Sequence, residues 1–247
     1  MWRALKCKTV ENVVIRGYSG KLDGYFHRAF LLTAPSVLIL SGAPDECNMN
    51  SELIKSSFKR FANRGFSVLR YDHRGVGRSE GEFKRNIGEL VDVSLAVDWL
   101  RGSVPQSSQL IVFGFSYGAV LALRVFMRRP DVGYFILCSP LECKSDSNFV
   151  SPCPGPGTII YPSGDSKMIS DSTVNLYHRL SGQQRFEIRC SIVKDAVHDF
   201  SNKTDEFMDK LDDCITYLLD NKYKSERANL YGKRRKKIIE NTLMAQC

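Results

Sequence analysis

Histidine is scarce in this 247-residue chain, with four copies, and long apolar runs are missing altogether. No uninterrupted apolar stretch approaches the roughly 20 residues that a membrane-spanning helix needs. The opening MWRALKCKTVENVV has no apolar segment followed by a small-residue cleavage site. A secretory signal is therefore not expected, and the expected location is the cytosol. The eight cysteines are scattered and include no C-x-x-C spacing, which argues against structural zinc and against a redox pair. Cys138 and Cys190 lie in or beside strand-like runs and read as small core residues, free thiols in a reducing compartment. Gly75 and Gly77 sit between Arg74 and Arg78, but no third glycine opens a helix after them and no Walker lysine is present. Nucleotide binding is not expected from that loop. No motif asks for a metal or a cofactor.

Charge is abundant, but uneven. The formal net charge is +8, and the last 26 residues hold eight Lys/Arg against only Glu226 and Glu240. The basic balance thus describes a tail, and the body gives no reason to expect a specific nucleic-acid partner. The tail carries Lys233-Arg234-Arg235-Lys236-Lys237, preceded by Leu230 and Tyr231 and followed by Ile238, Ile239, Leu243 and Met244. Such a segment reads first as a solvated, partly helical extension. Such a basic run can also bind nucleic acid or an anionic membrane surface. The expected organisation is one domain over residues 1–221 and a basic tail over 222–247.

With 43% hydrophobic residues the chain can bury a sizeable core. Apolar runs such as Ser36–Leu40, Phe66–Arg70, Leu110–Phe113 and Val132–Leu137 read as strands. Between them, residues 51–64 and 88–101 carry apolar side chains at helical spacing, and 204–219 does so near the end. Residues 171–180 are weakly helical, and 158–161 and 186–193 read as further strands. Strand alternating with helix predicts a mostly parallel sheet with helices on both faces. Residues 10–30, turning at Tyr18-Ser19-Gly20-Lys21, predict an antiparallel hairpin at one edge.

The chemistry centres on Gly114-Phe115-Ser116-Tyr117-Gly118, between a strand and a helix. G-x-S-x-G in that context is a nucleophile elbow: a serine on a strained turn, its hydroxyl clear of the sheet. Side chains at Gly114 and Gly118 would collide with neighbouring elements. Serine needs a base and the base needs an orienting acid. Of His27, His73, His178 and His198, only His198 follows the last strand, where a sheet carrying the elbow presents its other active-site loops. Asp165 follows the strand TIIY and completes the order Ser116, Asp165, His198. Asp171 is the competing acid; Asp195 and Asp199 lie too near His198 in sequence for an easy approach. The oxyanion hole needs two backbone donors, and the amides of Ala43, in the loop Ser41-Gly42-Ala43-Pro44, and of Tyr117 fit that need.

The set SGAP, YDHRGVGRSEG, GFSYG, Asp165 and His198 resembles the α/β-hydrolase superfamily over roughly residues 10–220. It is most similar to small bacterial hydrolases grouped with serine aminopeptidase-like and dienelactone hydrolase-like proteins. The sequence departs from that pattern twice. Ser41 stands where the family has the histidine of H-G-x-P, and Tyr161-Pro162-Ser163-Gly164-Asp165 keeps only the aspartate of H-G-x-x-D. The resemblance implies hydrolysis of an ester, thioester or amide through an acyl-enzyme on Ser116, with a small-molecule acyl substrate. It also implies that YDHRGVGRSEG is a structural turn, with Arg74 and Ser79 tied into backbone hydrogen bonds. The short segment after Val132–Leu137 leaves no room for a helical lid, which predicts an open, shallow site. Two other readings use the same residues: a non-catalytic binding protein of this fold, and acyl transfer to an acceptor other than water.

Overall fold

The computed structural model describes residues 10–141, 153–165, 167–182 and 186–220. The tail over 222–247, with its basic run, lies outside the described residues, as do Cys7, Cys143 and Cys247.

Eight strands form one sheet: β1 (Glu11–Gly17), β2 (Gly20–His27), β3 (Ser36–Leu40), β4 (Ser67–Tyr71), β5 (Leu110–Phe115), β6 (Val132–Cys138), β7 (Gly157–Pro162) and β8 (Ile188–Val193). Their order is β1-β2-β4-β3-β5-β6-β7-β8. From β4 to β8 every pairing is parallel, and β2 runs antiparallel to both β1 and β4. The expected hairpin is therefore the edge of the sheet. It turns more tightly than the sequence suggests, because Gly17 already pairs with Gly20 and only Tyr18 and Ser19 form the turn.

Strands β3 to β7 are buried along their whole length, which explains their continuous apolar runs. Helices cover both faces. On one side α2 (Ile87–Ser103), α3 (Tyr117–Arg128) and α4 (Lys167–Ser181) close a core that includes Leu38, Leu69, Val93, Val112, Leu121 and Phe135. On the other, α1 (Glu52–Asn63) and α5 (Thr204–Leu219) close a core around Phe61, Phe66, Phe113, Phe207 and Leu211. A capping box starts α2: the Asn86 side chain accepts from the Gly88 amide, and the Glu89 carboxylate accepts from the Asn86 amide.

One reading of the sequence is corrected. Cys138 is buried, but Cys190 is exposed. β8 is the outer strand of the sheet, and its inner positions are not covered as those of β5 or β6 are. A strand-like run does not reveal which strand will end up at an edge.

The loop over 71–81 has the structural role expected of it. Arg74 donates to Asp92 and to the Gly88 carbonyl, both at 2.6 Å. The Ser79 hydroxyl donates to the Asp72 carbonyl and accepts from the Asp23 amide. Arg78 is paired with Asp23. Arg74 is thus engaged inside the protein, while Arg78 is paired at the surface. No helix among the described residues is long and apolar enough to cross a membrane.

Candidate active site

Because β4 to β8 are parallel, the loops that follow them open at one end of the sheet. Ser41, Asp72, Ser116, Ser139, Asp165 and His198 all follow the carboxyl ends of their strands.

Ser116 lies between β5 and α3 with φ +53° and ψ −115°, a backbone conformation that costs energy in any residue with a side chain. Its surroundings enforce it. A Cβ at Gly114 would stand 2.3 Å from the Gly118 carbonyl oxygen, and one at Gly118 would stand 2.3 Å from that of Ser41. Strand, helix and the loop after β3 therefore meet with no space for side chains at those two positions. The Tyr117 amide, at the first position of α3, has no carbonyl a turn behind it in the helix.

Ser116, His198 and Asp165 are joined in one line. The Ser116 hydroxyl lies 3.0 Å from His198 Nε2, and His198 Nδ1 lies 2.6 Å from Asp165 Oδ2. With Asp165 ionised, Nδ1–H donates to the carboxylate. Nε2 then presents its lone pair to the serine proton. Asp165 is nearly covered, while the His198 side chain is partly open to solvent. Asp171 is exposed on α4. His27 belongs to β2 and His178 to α4, both away from this line.

The loops carrying His198 and Asp165 are fastened to each other. The Gly164 amide donates to the Ala196 carbonyl, and the Ser163 amide to that of Val193. The Asp195 amide donates to the Ser163 hydroxyl. Ser139, buried and with φ +44°, donates from Oγ to the His198 carbonyl at 2.7 Å. The imidazole also packs on the Phe115 ring, with centroids 5.4 Å apart. Nothing in the sequence singles out Ser139, which sits at the start of a loop rich in Ser, Pro and Gly.

The loop after β3 is also held firmly. His73 is buried and its Nε2 lies 3.1 Å from the Ser41 carbonyl oxygen. Burial holds this imidazole below its ordinary value, so it is neutral and donates from Nε2. Asp72 accepts from the Met49 amide, Arg70 donates to the Met49 carbonyl, and Arg85 forks onto Asp45. The Gly42 amide donates to Cys47 Sγ. Burial pushes that thiol up to about 11, so Cys47 is not a competing thiolate. The Tyr117 ring packs against Phe83 and lies under the Arg85 guanidinium, and burial pushes its phenol up to about 12.

Two features bear on access to the nucleophile and to the Ala43 amide. Ser116 is fully buried. The Ala43 amide donates to the Glu46 carboxylate at 3.1 Å. Glu46 also returns its own amide to the Ala43 carbonyl, so a tight turn brings its side chain back over Gly42 and Ala43. Glu46 was not singled out from the sequence. The available clue is its position three residues after Ala43, the spacing at which a glutamate reaches back to a backbone amide.

Residues 33–154 match the family model described as serine aminopeptidase, S33. A protein of Rickettsia prowazekii (strain Madrid E), described as uncharacterized, is 34% identical over 225 residues, covering 89% of this chain and 94% of its own. A crystal structure of a protein of unknown function from Agrobacterium tumefaciens, named as an α/β hydrolase candidate, superposes with a TM-score of 0.82. It is 32% identical and covers 86% of this chain and 98% of its own. An α/β serine hydrolase without a lid from Xanthomonas campestris shares the fold at a TM-score of 0.74 and 20% identity, over 87% of this chain and 98% of its own.

Proposed function

The chain belongs to the α/β-hydrolase superfamily as a small member without a lid, and on that premise we propose that it is a serine hydrolase acting on an ester, thioester or amide through an acyl-enzyme. The observation that carries the reading is the hydrogen-bonded line from Ser116 through His198 to Asp165.

Each residue has a role in this reading. Ser116 Oγ attacks the acyl carbonyl carbon while its proton passes to His198 Nε2. Asp165 holds the ring in the tautomer that can accept that proton and stabilises the imidazolium. The carbonyl electron pair moves onto oxygen, where the amides of Tyr117 and Ala43 receive the charge. The intermediate collapses, the leaving group takes the proton from His198, and the acyl group stays on Ser116. Water, deprotonated by His198, then attacks the acyl carbon and releases the acid. For Ala43 to take part, the Glu46 carboxylate must first leave its amide. Only residues 139–156 separate β6 from β7, a length too short for a cap domain, which favours a small or surface-exposed acyl group.

The test is labelling by a fluorophosphonate probe, together with turnover of short-chain p-nitrophenyl esters, acyl-CoAs and aminoacyl anilides. Wild type should label and turn over at least one class; Ser116→Ala should do neither. Equal turnover by both proteins would overturn the mechanism. Structural integrity of Ser116→Ala with no labelling of wild type would favour a binding protein of the same fold.

A further inference from the structure

At the end of the sheet opposite Ser116, the loop joining β2 to β3 displays three consecutive large apolar side chains. Phe30, Leu31 and Leu32 are 77%, 63% and 59% exposed. The loop does not hang free. The Ala29 amide donates to the Ser67 hydroxyl at its start. The Ala34 amide donates to the Leu31 carbonyl across its tip, and the Ser108 amide donates to the Thr33 carbonyl. A backbone tied at both ends thus holds Phe30, Leu31 and Leu32 outward. Scattered apolar residues on a surface are ordinary, but a contiguous apolar knob marks a contact.

The described chain ends at Asp220, just before the basic tail, at this same end. α5 runs against the strand direction and finishes at Leu219, itself exposed. Thr216, in its last turn, accepts a hydrogen bond from Arg64, which ends α1 just before β4 begins at Ser67. That serine is the one that anchors Ala29. Connected contacts therefore put the origin of the tail and the apolar loop on one face. The exposed Arg28 borders the loop. Elsewhere on this end the charges are mixed, with Arg60 on Asp212 and Arg129 on Asp131, and the sequence carries its strong positive charge in the tail that follows Asp220.

We propose that this face docks on an anionic lipid bilayer, with Phe30, Leu31 and Leu32 entering the interface and the Lys233–Lys237 run attracted to the headgroups. Apolar insertion and basic attraction together are what a peripheral anchor requires, since either alone gives only weak binding. A nucleic acid would use the basic run and could stack on Phe30, but it has no use for Leu31 and Leu32 beside it. Because Ser116 opens at the other end of the sheet, the docked protein would present its site to water, away from the lipid.

The experiment uses the full chain with vesicles of phosphatidylcholine alone and with vesicles of equal parts phosphatidylcholine and phosphatidylglycerol. Co-sedimentation is expected with the mixed vesicles only. It should weaken about tenfold or more in Phe30→Ser/Leu31→Ser/Leu32→Ser, and similarly when Lys233, Arg234, Arg235, Lys236 and Lys237 are all changed to Gln. A thermal melt checks the triple variant. As a second measurement that needs no loss of stability, Phe30→Trp should give a fluorescence blue shift on adding mixed vesicles that the parent lacks. Equal binding to neutral vesicles, unchanged binding by the triple variant, no blue shift, or RNA binding that replaces vesicle binding would each overturn the proposal. None of these outcomes depends on whether Ser116 is a nucleophile.

Discussion

His73 Nε2 donates to the carbonyl oxygen of Ser41 across 3.1 Å, entirely inside the protein. The loop that carries Gly42 and Ala43 is thereby fixed from below by a side chain 32 residues away. Nδ1 of the same ring is buried with no hydrogen-bond partner, so a second proton there would have no acceptor.

That arrangement sets a pH dependence. Unfolded, His73 titrates near 6.5; folded, burial holds it lower. Between the two values the unfolded chain binds the extra proton, so His73 favours folding fully above 6.5 and less as pH falls through the window, with a slope of at most about 1.4 kcal/mol per pH unit. Glutamine keeps a donor but does not titrate. Denaturant midpoints measured from pH 7.5 to 5.5 should fall more steeply for wild type than for His73→Gln. Parallel curves would remove His73 as the source.

Asp165 and Asp171 can be separated by kinetics. Asp165→Asn should lower kcat on the order of 10⁴-fold, because an amide favours the wrong imidazole tautomer. Asp171, exposed on α4, should tolerate the same change with kcat within about twofold. A large loss in Asp171→Asn with Asp165→Asn active would reverse the assignment.

Glu46 competes for the Ala43 amide with any oxyanion formed on Ser116. Glu46→Ala frees that donor. Its kcat/KM for a neutral short-chain ester should rise by up to about tenfold, the scale of one charged hydrogen bond. A fall instead would mean that Glu46 shapes the loop more than it blocks it.

Gly118→Ala places a methyl group against the Ser41 and Leu40 carbonyl oxygens. Neither backbone can yield without moving the loop after β3 or the start of α3. A loss of about 1–3 kcal/mol is expected in urea denaturation. Gly102→Ala, with open space around its Cβ position, is the matching control and should be neutral or stabilising.

Much of the fold was legible because its cues are local. The α5 pattern of Phe207, Leu211, Cys214, Ile215 and Leu218 gives the helix over 204–219, and the buried runs of β3, β5 and β6 have no competing interpretation. Cys190 was misplaced because edge position depends on strand order, which no local pattern carries. In the candidate site, Ser116 and its two flanking glycines were legible because a strained strand-to-helix turn restricts residue choice within five positions. Ser139 and Glu46 were not. Ser139 acts on His198 from 59 residues away, and Glu46 was hidden in an ordinary polar loop.

By itself, then, the sequence determined the alternation of strand and helix, the turn at Ser116 and the basic character of the tail. Each follows from side-chain size, periodicity or charge among near neighbours. Tertiary structure alone decided that Asp165 rather than Asp171 meets His198, that Glu46 lies on the Ala43 amide, and that Phe30–Leu32 shares an end with the tail's origin. Those relationships depend on which loops the parallel strands bring to each end of the sheet, and that is settled only when distant segments pack together.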